Sequence, residues 1–242
     1  MLKDLSRRSH DPEIMDNLEQ PLSNLEEVLD DINQVNQLLG GFKITIHAVE
    51  KLIKEYPKKS YTIVDFGCAE GKMLRLLAKM GRRKGHKLKL IGIDLNQDSI
   101  SIARARSSSF PEISYLQEDI FKTDFNQLEC DIIICTLTMH HFDDGSISKF
   151  ISHFIKSASI GIIINDLQRS AIAYYLFTLF SVIFIKTRVA KIDGLISIRR
   201  GFRKSELMTL ASRFPEATHQ IQWKWAFRYL WIIQKMHKIK TS

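Results

Sequence analysis

The stretch VDFGCAEGKM, residues 64–73, decides how the chain is read. The β-rich run YTIVDF (61–66) leads into it, and KMLRLLAKM (72–80) follows with helical apolar spacing. A strand–turn–helix of this kind aims turn amides and a helix N-terminus at a polar or anionic ligand. A phosphate loop needs Gly-x-x-x-x-Gly-Lys-Ser/Thr. Here its first glycine would fall on Phe66 and its hydroxyl on Met73. A dinucleotide turn needs Gly-x-Gly-x-x-Gly, which would put its second glycine at Ala69 and its third at Lys72. What fits is an acid followed by alternating small residues: Asp65, Gly67, Ala69 and Gly71.

Working outward, strand and helix patterns alternate. LKLIGIDL (88–95), EISYLQED (112–119), CDIIICTLTM (130–139) and SIGIIIND (159–166) read as strands. DSISIARARS (98–107) and SISKFISHFIK (146–156) read as helices between them. That alternation predicts a parallel doubly wound sheet, and the continuous apolar run at 130–139 suits a strand buried on both faces. The end differs: ATHQIQWKWAF (217–227) and RYLWIIQK (228–235) meet near Phe227-Arg228 as an antiparallel hairpin. The expected fold is therefore α/β, a Rossmann-like doubly wound sheet of seven strands, five parallel plus a C-terminal antiparallel hairpin. Residues 1–59 form an N-terminal helical lid, 60–242 the main domain, and 170–200 an apolar insertion after the fifth strand. In the lid, Ser23 and Glu26 make a capping box for a helix that Gly40-Gly41 stops, and a second helix runs over 43–56.

The chain has 242 residues and a formal charge of +8, partly concentrated in GRRKGHKLK (81–89). Such a surface is either a solvated basic face or an attractor of RNA, anionic lipid or an acidic cofactor. Cys68, Cys130 and Cys135 form no CxxC pair and read as buried packing residues, with Cys130 and Cys135 on opposite faces of their strand. No metal ligand set is expected. Asp4 and Arg7-Arg8 interrupt any apolar leader, so a reducing cytoplasm is the expected location. SAIAYYLFTLFSVIFI (170–185) is uncharged over 16 residues, short of the ~20 that span a bilayer. It is a buried helix, a lid over an apolar pocket or a segment that touches the membrane periphery.

The turn, with Asp94 at the end of IGID and Asp119 in LQEDI, resembles the first motifs of class I S-adenosylmethionine (SAM) dependent methyltransferases. The resemblance implies that Asp65, Gly67, Ala69 and Gly71 form the cofactor turn, with a negative φ needed at Ala69. It implies that Asp94, with Leu95 beside it, receives the ribose hydroxyls, and that Asp119 and Ile120 meet the adenine. Thr136, at the end of the fourth strand, completes the cofactor set. His140 and His141 lie just past that strand, at the edge where open α/β sheets bind ligands, and either could take a proton from a phenol or enol. Asp166 and Arg169, after the fifth strand, either orient substrate or cap strand and helix.

The outer segments, RRS…PEIMD, VNQLLGG, MHHF, NDLQRS and DGLISIRRGF, resemble small bacterial methyltransferases of aromatic polyketide and pigment pathways and the quinol methyltransferases. This implies a small hydrophobic or aromatic acceptor, with O-methylation through a histidine base. C-methylation of a lipid quinol at the membrane surface, RNA methylation and a non-catalytic SAM-binding role stand as alternatives. No Asn-Pro-Pro-Tyr-like tetrapeptide follows the fourth strand and no RNA-binding module is evident, which argues against nucleic acid. Arg199 and Arg200 either pair with an acidic group on the substrate or sit on the surface.

Overall fold

The computed structural model describes residues 4–17, 22–122 and 129–236. Seven strands form one sheet: β1 (Tyr61–Phe66), β2 (Leu88–Asp94), β3 (Ile113–Gln117), β4 (Cys130–Thr136), β5 (Ala158–Leu167), β6 (Ala217–Lys224) and β7 (Arg228–Lys235). Their spatial order is β3-β2-β1-β4-β5-β7-β6. The first five run parallel, and β7 enters antiparallel beside β5 with β6 outside it. The expected architecture is the observed one.

Strand alternation sorts the side chains onto two faces. On one, Ile133 and Cys135 pack against Ile147, Phe150, Phe154 and Leu207 from α5 (Asp144–Ser157) and α8 (Lys204–Ala211). On the other, Ile132 and Ile134 meet Leu52, Leu74, Leu77 and Ile100 from α2 (Gly41–Glu55), α3 (Lys72–Lys84) and α4 (Gln97–Arg106). All three cysteines are buried and free. Cys130 and Cys135 do not lie on opposite faces, however. An irregularity between Cys130 and Ile132 shifts the register, so both thiols join one core cluster.

Local chemistry sets most helix starts. Asn96 accepts from the Ser99 amide, Asp143 from those of Gly145 and Ser146, and Ser170 and Thr187 cap the two helices of the insertion. The capping box expected at Ser23 does not form. The first helix, α1 (Leu25–Leu38), has Asn24 at its N-cap and no side-chain cap bond. Gly40, at φ 72°, ends the approach from α1, whereas Gly41 already belongs to α2.

α2 sits in the layer against the sheet, whereas α1 packs with the insertion, α6 (Ala171–Phe184) and α7 (Arg188–Arg200). Val28, Ile185 and Ala190 make a small separate core there. The buried Asp31 carboxylate fixes the α6–α7 junction by accepting from the Lys186 and Thr187 amides and the Thr187 hydroxyl. Asp193 on α7 accepts the amides of Ile14 and Met15 at 2.8 and 3.1 Å, clamping the N-terminal segment to the same cover.

Candidate active site

A cavity of about 830 Å³ opens between the carboxyl ends of the strands and this cover. Its floor is the 64–73 turn. Gly67 and Gly71 have φ of 72° and 74°. A Cβ on Gly67 would stand 2.2 Å from Thr138 Oγ1, and one on Gly71 would stand 2.0 Å from the Tyr115 hydroxyl. Neither position admits a side chain. Ala69 also has positive φ, 44°. The negative φ expected there is not found: the turn holds alanine in the left-handed region, at a cost of about 1–2 kcal/mol.

Two carboxylates face this turn. Asp94 Oδ2 accepts from the Ala69 amide at 2.8 Å, and its Oδ1 accepts from Asn96 at 2.9 Å. Loss of solvent raises the Asp94 pKa, against the pull of those amides. Asp65 is buried, lines the cavity and leaves Oδ1 without a partner. Burial, then the nearby Asp94, pushes its carboxyl well above the usual range. This end of the cavity therefore favours a cation and repels phosphate. Leu95, Asp119, Ile120 and Thr136 line the same cavity. Asp119 takes the Phe121 amide at 2.9 Å, and Thr136 shares a hydroxyl contact with Thr45 at 3.2 Å.

At the end of β4, Leu137 at φ 55° turns the chain into a short 3-10 turn that carries both histidines. His140 is buried. Its Nδ1 lies 2.7 Å from Asp166 Oδ1, and its Nε2 lies 3.3 Å from Glu13 Oε1 without hydrogen-bond alignment. Burial opposes charging the ring, but Asp166 and then Glu13 outweigh it and raise the pKa to about 9. Burial likewise works against ionising Asp166 and Glu13, yet His140 holds both below the usual carboxyl range. The two carboxylates thus favour the charged form of His140, which counts against it as a resting base. His141 is half-buried and lines the cavity; its Nδ1 lies 3.0 Å from Asp16 Oδ1.

Glu13, His140 and His141 bring one ligand-type atom each within 4.8 Å of one another. Glu13 Oε1 lies 3.3 Å from His140 Nε2, and Arg200, 3.1 Å from Asp16, donates to the His140 and His141 backbone carbonyls. Sequence reasoning placed the two histidines and Asp166 together. It missed Glu13 and Asp16, and only the apposition of an N-terminal acidic PEIMD to the MHH turn could have suggested them.

Other expected residues lie elsewhere. Arg169 is buried outside the cavity lining, paired with Glu206 at 2.6 Å and bonded to the Leu5 and Gly201 carbonyls. It ties the N-terminal segment to the end of α7. Arg199 pairs with Asp11, and Arg200 with Asp16, so neither guanidinium points to an acidic substrate group. Ala173, Leu176, Phe177 and Phe180 of α6 line the cavity, so part of the aromatic stripe is its wall.

Residues 63–159 match a family described as methyltransferase domain. The plantazolicin methyltransferase BpumL, solved with S-adenosylhomocysteine (SAH), superposes with a TM-score of 0.64 at 14% identity over 85% of this chain and 89% of that one. The magnesium protoporphyrin IX methyltransferase of Synechocystis, also with SAH, gives 0.56 at 13% over 81% and 84%. Among curated proteins, a 2-phytyl-1,4-naphtoquinone methyltransferase of Thermosynechococcus vestitus is 38% identical over 64 residues. That match spans 26% of this chain and 27% of the relative. The family match covers the first four strands and the helices between them, and the structural likenesses show the same fold over most of the chain.

Proposed function

We propose that this methyltransferase domain makes the chain a SAM-dependent methyltransferase with a small apolar acceptor. The observation that carries the reading is the buried, unpartnered Asp65 oxygen beside Asp94 at the floor of a largely apolar cavity. A ligand bearing a sulfonium and an ammonium relieves that crowding, whereas a dinucleotide's phosphates would worsen it. The likeness to SAH-bound methyltransferases supports the same choice.

Asp94 would receive the ribose hydroxyls through the lone pairs its two backbone amides leave free. Asp119 and Ile120 border the adenine end, Gly67 and Ala69 bring backbone to the cavity, and Gly71, outside the lining, makes room for Tyr115. SAM, when bound, supplies an electrophilic methyl group for in-line displacement. The chain's part is to exclude water and orient the acceptor, which the cover of α1, α6 and α7 is built to do.

His141 is the base in this reading. Asp16 holds its Nδ1, Nε2 lies 3.9 Å from Glu13 Oε2 and is the nitrogen that takes the proton, and the reaction is O-methylation of a phenol or enol. His140 and Asp166 act through it: Asp166 binds both the ring and the amide of His140 and so fixes the 139–141 turn. The test is transfer of labelled methyl from SAM to a panel of apolar phenols. His141→Ala should lose at least tenfold in kcat with SAH affinity retained; an unchanged kcat removes His141 from the mechanism.

One observation favours delivery of the acceptor from a membrane surface. The outer face of α6 exposes Ile172 (64%), Leu179 (68%), Val182 (71%) and Ile183 (76%), while its inner face lines the cavity. Lys186 and Arg188 lie exposed just beyond it. An apolar face with a basic edge suits the interface of an anionic bilayer. No helix among the described residues is long and apolar enough to cross a membrane. On this second reading the acceptor is a lipid quinol, methylated at carbon.

A further inference from the structure

The cavity holds one charge that the cofactor does not use. Arg228 opens β7, paired across the sheet with Leu167 and Lys224. It is 2% exposed and lines the cavity together with Asn36, Leu39, Phe42 and Phe227. Its Nη2 donates to Asn36 Oδ1 at 2.7 Å, while Nε and Nη1 have no partner. Among the described residues no carboxylate pairs with it. The contrast with its neighbours is sharp: Arg8 pairs with Asp144, Arg169 with Glu206, Arg199 with Asp11 and Arg200 with Asp16. Burial lowers the Arg228 pKa only to about 10, so the guanidinium stays charged at neutral pH.

Asp166 acts on the guanidinium electrostatically, but a buried cation with no carboxylate in direct contact is costly. At Gly41 a Cβ would come within 2.9 Å of Arg228 Cζ and 2.7 Å of Asn36 Oδ1. The backbone at the start of α2 thus presses directly on the guanidinium, whose residue lines the cavity.

We propose that Arg228, steadied by Asn36, binds a carboxylate on the methyl acceptor, so that the acceptor is an apolar aryl or acyl acid. The inference rests on the methyltransferase reading for the identity of the reaction, but not for the existence of the anion site. Nη1 and the second N–H of Nη2 form one edge of the guanidinium, the fork that matches both oxygens of a carboxylate in geometry and charge. The apolar walls from Phe42, Phe177 and Phe180 take the rest of the molecule. The cofactor also carries a carboxylate. However, β7 lies three strands from β1 in the sheet order, about 14 Å at the usual strand spacing, which places Arg228 on the acceptor side.

The experiment uses the full chain with 4-hexyloxybenzoate and its methyl ester as probes, titrated calorimetrically at saturating SAH. SAH binding is measured separately. The wild type should prefer the acid at least tenfold, Arg228→Met should bind acid and ester alike, and Arg228→Lys should keep a reduced preference. Arg228→Met should hold its SAH affinity within twofold and melt no lower than the wild type, because an unpaired buried charge has been removed. Asn36→Ala, which leaves the charge in place, should weaken acid binding while keeping its sign. Equal binding of acid and ester by the wild type overturns the proposal. So does a Met variant that loses SAH affinity tenfold but keeps the acid preference, since the guanidinium would then serve the cofactor. If SAH fails to bind the wild type while the acid preference stands, the methyltransferase reading falls and the anion site survives.

Discussion

Raising the pH should unlock the cluster that joins the N-terminal segment to the 139–141 turn. His140 has a pKa of about 9 in the folded chain, against about 6.5 when unfolded. A folded pKa above the unfolded one stabilises fully below pH ~6.5, and the contribution drains away as pH rises through about 9. At more than about 1 kcal/mol per pH unit, that gap amounts to roughly 3 kcal/mol, an order-of-magnitude figure for a ring buried between two carboxylates. Urea unfolding of the wild type and His140→Gln at pH 6.5, 8 and 9.5 isolates this contribution from the lysines, cysteines and tyrosines that titrate in the same range. The stability gap between the two proteins should be largest at pH 6.5 and shrink by about 3 kcal/mol by pH 9.5. A gap that stays constant across the series would show that His140 is neutral throughout, and the argument that His141 is the base would lose its main support.

Other outcomes follow from the same geometry. Ala69→Gly relieves about 1–2 kcal/mol of left-handed strain and returns about 0.4–1 kcal/mol through unfolded-state entropy. A gain near 0.5–1 kcal/mol in urea unfolding is expected, with SAH affinity equal or better. Gly67→Ala should cost about 1–3 kcal/mol through its clash with Thr138, and adding Thr138→Ala should restore part of that loss. In vesicle flotation with anionic liposomes the wild type should float, and Leu179→Lys/Ile183→Lys should not, at an unchanged melting temperature. If both remain in the soluble fraction, the membrane-delivery reading fails.

What could be read from the chain tracked how locally each signal was written. The alternating apolar runs, the Asp65–Gly67–Gly71 turn and the acids closing β2 and β3 are short-range patterns, and each falls where expected in the strand order. Long-range pairings were not legible. Nothing near His140 in sequence says that Glu13 will meet it from the N-terminal segment, or that Asp16 will hold His141. The arginines show the same limit. Arg199 and Arg200 looked available for substrate, but N-terminal acids consume both. Arg228, hidden at the start of an ordinary strand, keeps its donors free because α1 and α2 bring only an asparagine and a glycine against it. Ala69 was a question of backbone angle, which residue type alone did not settle.

The central claim is that the cavity floor binds SAM through the carboxylate ending β2. Calorimetric titration of SAM into the wild type and Asp94→Ala tests it most directly. The wild type should show saturable one-to-one binding and the variant a loss of at least tenfold, at comparable melting temperatures. Absence of binding to the folded wild type, or equal affinity in Asp94→Ala, would contradict it.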